Sequence, residues 1–388
     1  MRDIVIWGTG AVARRFYYNI MQEKAVRVRY FVDNAPVTSF YGHEVYRPTR
    51  ENCSKYLVVV ASDVYYEKIA IQMTGYGLKE LRDFIPYGAL GKEVVLVHGN
   101  CHVFVMKEYL KTSKTFLEKF YLYPLPLIQD NKKKYIKDDL LENCDIFIYQ
   151  DIRKDNQFDE RLSADYLSPK IHKRRICIPN VFGMGTFLYP QAEPPQGSES
   201  DGWSNYVGEG SPIGICNYRD ENIDRQWREG ERCIDKIAAR LEGQVYDQEY
   251  IRKNAETCFE KMRKRERFWD VKITDYIEQG YKEKQMFYEP AHPCNHVLRK
   301  ISEGILEILG INGNEISEVE AHLAYQEMPT YQCVKEALGL NYETKHIRHR
   351  GAWEQSKLTP KDMDLTEYCR EYCYWCYGWY PERREWNA

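Results

Sequence analysis

Apolar residues along the chain fall into short runs that alternate with segments of helical spacing. Runs at Ile4–Trp7, Val28–Val32 and Leu57–Ala61 predict buried strands. Helices are predicted at 11–23 and 64–74, the second with Asp63 as its cap and Gly75 and Gly77 as stop signals. A short fourth strand is expected over Glu80–Ile85, and the turn-rich stretch from Pro86 to Gly91 closes the region. The alternation restarts at Glu93, with strands at Val94–His98, Asp145–Tyr149 and Arg175–Ile178 and a helix at 103–111. Residues 190–212, rich in Pro, Gly and Ser, read as a long surface loop. From Asn222 to Lys284 the pattern is helical and heavily charged. Helices at 295–309 and 364–379 follow. The pattern predicts an α/β chain with two parallel-sheet domains, 1–90 and 91–388, the second with a helical C-terminal part.

Composition narrows the function classes. A length of 388 residues suits two domains, and 43% hydrophobic with 29% charged residues describes a globular chain. A formal net charge of −3 gives no electrostatic case for nucleic acid. The 32 tyrosines suit sugar or nucleotide stacking as well as packing against the core. No apolar run approaches the ~20 residues needed to span a bilayer. No signal-peptide pattern precedes the first strand. Twelve cysteines without a regular framework point to reduced thiols, so a cytoplasmic protein is expected. Cys369, Cys373 and Cys376 share one helical face beside Tyr372, Trp375 and Trp379, a packing stripe rather than a metal set. No metal site is expected.

Gly8-Thr-Gly10-Ala-Val-Ala13 separates the first strand from the first helix. In such a GxGxxA turn the first glycine permits the tight turn, the second lets a phosphate approach the backbone, and the small Ala13 allows close helix–strand packing. Asp33 ends the second strand, where a carboxylate can accept hydrogen bonds from ribose hydroxyls. The domain is therefore Rossmann-like, whether or not it holds a ligand. Ile6-Trp-Gly-Thr-Gly-Ala11, Phe31-Val-Asp-Asn34, Gly42-His-Glu-Val45 and Val59-Val-Ala-Ser62 resemble the small N-terminal domain of bacterial sugar acyltransferases. That resemblance implies a nucleotide or nucleotide-linked sugar near Gly8, Gly10, Asp33 and Ser62.

The second region sets a thiol beside an imidazole in Val94-Val-Leu-Val-His-Gly-Asn-Cys-His102. A strand ending at a small residue aims Cys101 at the carboxyl end of the sheet, where open α/β sheets bind ligands. Far downstream, Glu289-Pro-Ala-His-Pro-Cys-Asn-His296 supplies two more imidazoles ahead of a helix. A thiol needs a base or a cation to become a thiolate at neutral pH. His292 is the favoured partner of Cys101, with His102 and His296 as further candidates. Asn100 and backbone amides at the helix start can donate to an oxyanion, and Gln150 at the end of the next strand faces the same side. His172-Lys-Arg-Arg175 and Arg263-Lys-Arg-Glu-Arg267 are the clusters able to bind phosphates, through Lys173, Arg174, Arg263 or Arg267.

Several landmarks between 93 and about 310 together resemble the WcbI-type family of polysaccharide biosynthesis proteins. They are His98-Gly-Asn-Cys101, Pro126-Leu-Ile-Gln129, Asp145-Ile-Phe-Ile-Tyr-Gln150, Ile178-Pro-Asn-Val-Phe182, Arg265-Glu-Arg267 with Asp270-Val271, and His292-Pro-Cys-Asn295. The family often carries Gln where this chain has His102. The resemblance implies a bacterial capsule enzyme that binds coenzyme A and transfers an acyl group, acetyl first of all, to a sugar. Its partners would be small molecules, an acyl donor and a sugar acceptor, and a homo-oligomer is compatible with it. SGNH-type hydrolases also place a nucleophile after the first strand and a late histidine. An SGNH-like carbohydrate esterase or deacetylase is therefore a rival, and a non-catalytic sugar-nucleotide-binding protein a third reading.

Overall fold

A computed structural model describes residues 2–23, 26–154, 158–193, 218–320, 322–323, 327–343, 346–348 and 361–377. Most of the expected loop at 190–212, and Trp379, lie outside the described residues.

In the N-terminal region β1 (Arg2–Trp7), α1 (Ala11–Glu23), β2 (Val26–Val32), β3 (Ser39–Phe40), β4 (His43–Tyr46), α2 (Arg50–Ser54), β5 (Leu57–Val60), α3 (Tyr66–Gly75) and β6 (Phe84–Pro86) follow in order. The sheet order is β3-β4-β2-β1-β5-β6. β1 pairs in parallel with β2 and β5, with Ile4 opposite Leu57, and only β3 runs antiparallel to its neighbour. Every residue from Ile4 to Trp7 and from Leu57 to Val60 is buried, as expected of a parallel sheet covered on both faces. α1 buries Ala13, Phe16 and Ile20, spaced by three and four, so one stripe faces the sheet. Asp63 does not cap α3. The preceding turn is closed by Ser62, whose Oγ accepts from Tyr65 N–H at 3.2 Å, and Asp63 instead accepts from Tyr87 Oη at 3.3 Å.

Next come β7 (Glu93–His98), α4 (Cys101–Thr112), α5 (Lys114–Lys119), β8 (Phe120–Leu122), α6 (Asp138–Asn143), β9 (Ile146–Gln150), α7 (Ala164–Leu167) and β10 (Arg174–Ile178). They build a second sheet of order β10-β9-β7-β8, in which β7 pairs in parallel with β8 and β9. After it come β11 (Ala192–Glu193), β12 (Arg219–Asp220), α8 (Glu221–Arg228), α9 (Ile234–Glu242), α10 (Gln248–Glu266) and α11 (Thr274–Gly280). A hairpin of β13 (Phe287–Glu289) and β14 (His292–Pro293) leads into α12 (Asn295–Ile308), followed by α13 (Gln332–Leu338), β15 (His346–Arg348), β16 (Lys361–Met363) and α14 (Leu365–Tyr377). The chain is thus an α/β protein with parallel sheets and a helical C-terminal part. Among the described residues no helix is long and apolar enough to cross a membrane.

Two compact units emerge, and the division does not fall at residue 90. The first comprises 1–98 with 114–176, and the second 99–113 with 177–388. In the first, Ile4 and Val59 of one sheet share a continuous apolar cluster with Leu96 and Phe147 of the other. Buried Glu80 adds a polar tie, accepting from Tyr66 Oη at 2.9 Å and Tyr123 Oη at 2.6 Å while Lys137 Nζ lies 3.0 Å away. A buried carboxylate is tolerated because donors and a cation surround it.

Candidate functional site

Helix α4 starts at Cys101, two residues earlier than the pattern suggests, because Asn100 is its N-cap. Asn100 Oδ1 accepts from His102 N–H at 3.0 Å, and its backbone carbonyl accepts from Val103 N–H at 3.1 Å. An asparagine at this position satisfies an amide that the helix itself leaves orphaned. Cys101 therefore occupies the first helical position, half-buried.

The segment 287–293 meets it. Glu289 and His292 are paired across the β13–β14 hairpin, whose turn is Pro290-Ala291. Gly185 packs beneath this hairpin: its N–H donates to the Pro290 carbonyl at 3.0 Å, and a Cβ there would lie 2.9 Å from the Phe287 ring. His292 Nε2 is 3.5 Å from Cys101 Sγ although the residues are 191 positions apart. On the other side of the ring, His292 Nδ1 is 2.7 Å from Glu289 Oε1. Glu289 Oε2 accepts from Ala291 N–H at 3.1 Å, so the hairpin's own backbone orients the carboxylate. Thiol, imidazole and carboxylate form a chain, with Glu289 fully buried and His292 nearly so.

Electrostatics separate the two nearby imidazoles. Burial opposes charge on His292, but Glu289, helped by the Cys101 sulfur, outweighs it and lifts the ring to about 10. His102 is fully buried, its ring 6.5 Å from that of His292. Burial first, then repulsion from His292, pushes it down to about 3. It is a neutral ring whose Nε2–H donates to the Ala291 carbonyl at 2.9 Å. His102 thereby ties α4 to the hairpin turn, while His292 carries the charge.

His296 lies in α12 while His292 lies in β14, so the two do not share a helical face. Both nitrogens of His296 are engaged away from the thiol, Nε2 with the Gln285 carbonyl at 2.7 Å and Nδ1 with Tyr276 Oη at 3.2 Å. Gln150 is buried at the end of β9 in the first unit. Lys173 and Arg174 also belong to the first unit, and Lys173 Nζ is committed to Asp145 at 2.6 Å. Arg263 is paired with Glu278. Arg267, at the end of α10, is exposed and without an ion pair among the described residues. The member of that cluster whose charge reaches His102 is Arg265, which also lies 5.5 Å from the centre of the Trp269 ring.

At the N-terminal turn Gly8 has φ +122°, and a Cβ there would press on the Ala61 carbonyl at 3.1 Å. Only glycine adopts that conformation without strain. Thr9 Oγ1 donates to Asp33 Oδ2 at 2.7 Å, and Ala35 N–H donates to Oδ1 at 2.8 Å. An open depression of ≈ 490 Å³ adjoins the turn, lined by Gly10, Ala11, Arg14, Arg15, Tyr18 and Tyr41. Neither arginine has an ion-pair partner among the described residues. Among those residues no group of three His, Cys, Asp or Glu side chains is placed to hold a metal.

Sequence reasoning gave no role to Glu289 or Asn180. Glu289 stood inside the quoted 289–296 cluster, three places before His292, and an acidic residue just ahead of a candidate base was the available signal. Asn180 stood within the Ile178–Phe182 landmark, and its partner Asn100 lies 80 positions away, so spacing carried no signal.

Among curated proteins none matches this chain. Among solved structures of similar fold is one with a TM-score of 0.54 and 16% identity over 73% of this chain and 89% of that one. It is described as WcbI, a novel polysaccharide biosynthesis enzyme, in its native form without a disulfide bond between coenzyme A and one of its cysteines. The family model for the polysaccharide biosynthesis enzyme WcbI matches residues 94–314, which contain Cys101, Glu289 and His292. With more than half of its length matched, the chain belongs to the WcbI family of polysaccharide biosynthesis enzymes.

Proposed function

We propose that the protein transfers an acyl group, acetyl in the simplest case, from a coenzyme A thioester to a hydroxyl of a sugar unit during capsular polysaccharide assembly. The observation that carries this reading is the chain Cys101–His292–Glu289, with Sγ 3.5 Å from Nε2 and Nδ1 2.7 Å from the carboxylate. A sulfur attacks a thioester as the thiolate, and the His292 ring stands within hydrogen-bond reach of this one. The bond from sulfur to the acyl carbon forms, coenzyme A leaves, and His292 gives its proton to the departing sulfur. Neutral His292 then takes the proton of the sugar hydroxyl as that oxygen attacks the acyl-Cys101. The thiolate leaves, and the ester and the charged imidazole are restored. Glu289 holds the ring's orientation and stabilises its charge, as the third member of such triads does.

The similar protein is described in a form without a disulfide bond between coenzyme A and one of its cysteines, wording that supports placing the thioester sulfur near Cys101. Arg267, exposed and unpaired among the described residues, is the cation best placed on α10 for a phosphate, whereas Arg263 would have to leave Glu278. A coenzyme A donor fits a cytoplasmic enzyme. The Arg14 and Arg15 depression supports a nucleotide or nucleotide-linked sugar as a ligand of residues 1–90.

The test is multiple-turnover release of coenzyme A from acetyl-CoA, with free and nucleotide-linked hexoses as acceptors. Release that depends on an acceptor and vanishes in Cys101→Ala, with folding retained, is the expected result. Acceptor-independent release would instead assign a hydrolase. In a binding titration Arg14→Glu should weaken the hold on a nucleotide-linked sugar, and unchanged binding would place that ligand elsewhere.

A further inference from the structure

Three backbone amides open α4, and two of them are already committed. His102 N–H donates to Asn100 Oδ1 and Val103 N–H to the Asn100 carbonyl, which leaves only Cys101 N–H uncommitted beside its own sulfur. One uncommitted amide is a weak oxyanion hole, since such sites converge at least two donors on the developing charge.

The second donor follows from a relay of side-chain amides. The bond from His102 N–H fixes which end of the Asn100 amide is oxygen, because a backbone N–H must face an acceptor. Asn100 Nδ2 is thereby turned outward and donates to Asn180 Oδ1 at 3.3 Å. Phe182 N–H donates to that same oxygen at 3.3 Å. Two donors on Oδ1 orient the Asn180 amide in turn and leave its Nδ2 pointing away from them. That NH2 group is half-buried and has no partner among the described residues. A donor so oriented lies one hydrogen bond from the residue that precedes the nucleophile, and a donor set in advance is what an oxyanion hole uses.

We infer that Asn180 Nδ2, together with Cys101 N–H, holds the thioester oxygen as Cys101 attacks, an assignment that rests on the acyl-transfer reading above. As the Cys101 sulfur bonds to the acyl carbon, the carbonyl electron pair moves onto oxygen, and the two donors stabilise that charge. When the pair returns, the bond to the coenzyme A sulfur breaks and that sulfur takes the His292 proton. The donors are set before the reaction and need not reorganise during it, which is the source of their effect.

The experiment is single-turnover release of coenzyme A from acetyl-CoA, with acceptor withheld, for the wild-type protein, Asn180→Ala and Asn180→Ser. Cys101 alkylation by iodoacetamide is followed in parallel, since alkylation develops no oxyanion. Asn180→Ala should slow release by about 10²–10³-fold, the usual cost of one such donor, with alkylation unchanged. Asn180→Ser, which keeps a donor, should recover part of the rate. Release and alkylation falling together would show that Asn180 only supports the start of α4, and release as fast as wild type would overturn the assignment alone. A wild-type protein that releases no coenzyme A in the single turnover would overturn the acyl-Cys101 step and this inference with it, while acceptor-dependent release under multiple turnover would still mark a transferase.

Discussion

Glu289 decides the charge of His292, and the sign of the resulting pH dependence follows. A ring raised to about 10 in the folded protein, against 6.5 ordinarily, binds its proton more tightly folded than unfolded. Its contribution to stability is therefore complete below pH about 6.5 and is lost as pH rises through about 10. His98 and His102 work the other way: burial lowers them to about 4 and about 3. Their contribution is present above pH about 6.5 and is lost as pH falls through those values. Denaturant unfolding across pH should show both slopes in the wild-type protein. Glu289→Gln should flatten the alkaline slope and leave the acid one in place. An alkaline slope that survived in Glu289→Gln would remove His292 from this role.

At the scale of elements, the β13–β14 hairpin and the first turn of α4 do most to place the site. Burial and helical spacing leave local marks, so the strand before Cys101, the helix after it and the helix at 295 are legible in the hydrophobic pattern. The hairpin is not, since two strands of three and two residues are too short for a period to register. His292 accordingly read as part of a helical entry when it is a strand residue opposite Glu289. The start of α4 was misplaced because an asparagine cap outweighs the weak helical spacing at its first turn. Gly185 packs against this hairpin, lying against Phe287 and the Glu289 carbonyl. Gly185→Ala should destabilise the fold by about 1–3 kcal/mol, the usual cost of overpacking. It should also lower turnover by displacing the hairpin. Unchanged unfolding and unchanged turnover in Gly185→Ala would show that the hairpin does not depend on this contact.

Over the whole molecule, the α/β class and the family were legible in the sequence, whereas the division into compact units was not. The turn-rich segment at 86–91 reads as a junction, yet residues on both of its sides share one apolar cluster and the buried Glu80 tie. Local composition marks a turn without telling whether the segments beside it pack together. The candidate triad, by contrast, is drawn wholly from the second unit, with α4 joining residues 177–388 although β7 belongs to the first. The candidate site was legible where residue types cluster, at Cys101 and at 289–296, and illegible where one side-chain amide orients another, as Asn100 does Asn180. The central claim is that Cys101 carries the acyl group. Its most direct test is peptide mass spectrometry of the protein mixed with acetyl-CoA, acceptor withheld and the reaction quenched in acid. One acetyl group on the peptide containing Cys101, absent in His292→Ala and discharged when acceptor is added, is the predicted result. Steady acceptor-dependent release of coenzyme A with Cys101 never acetylated would contradict it, leaving the sugar hydroxyl to attack the thioester directly.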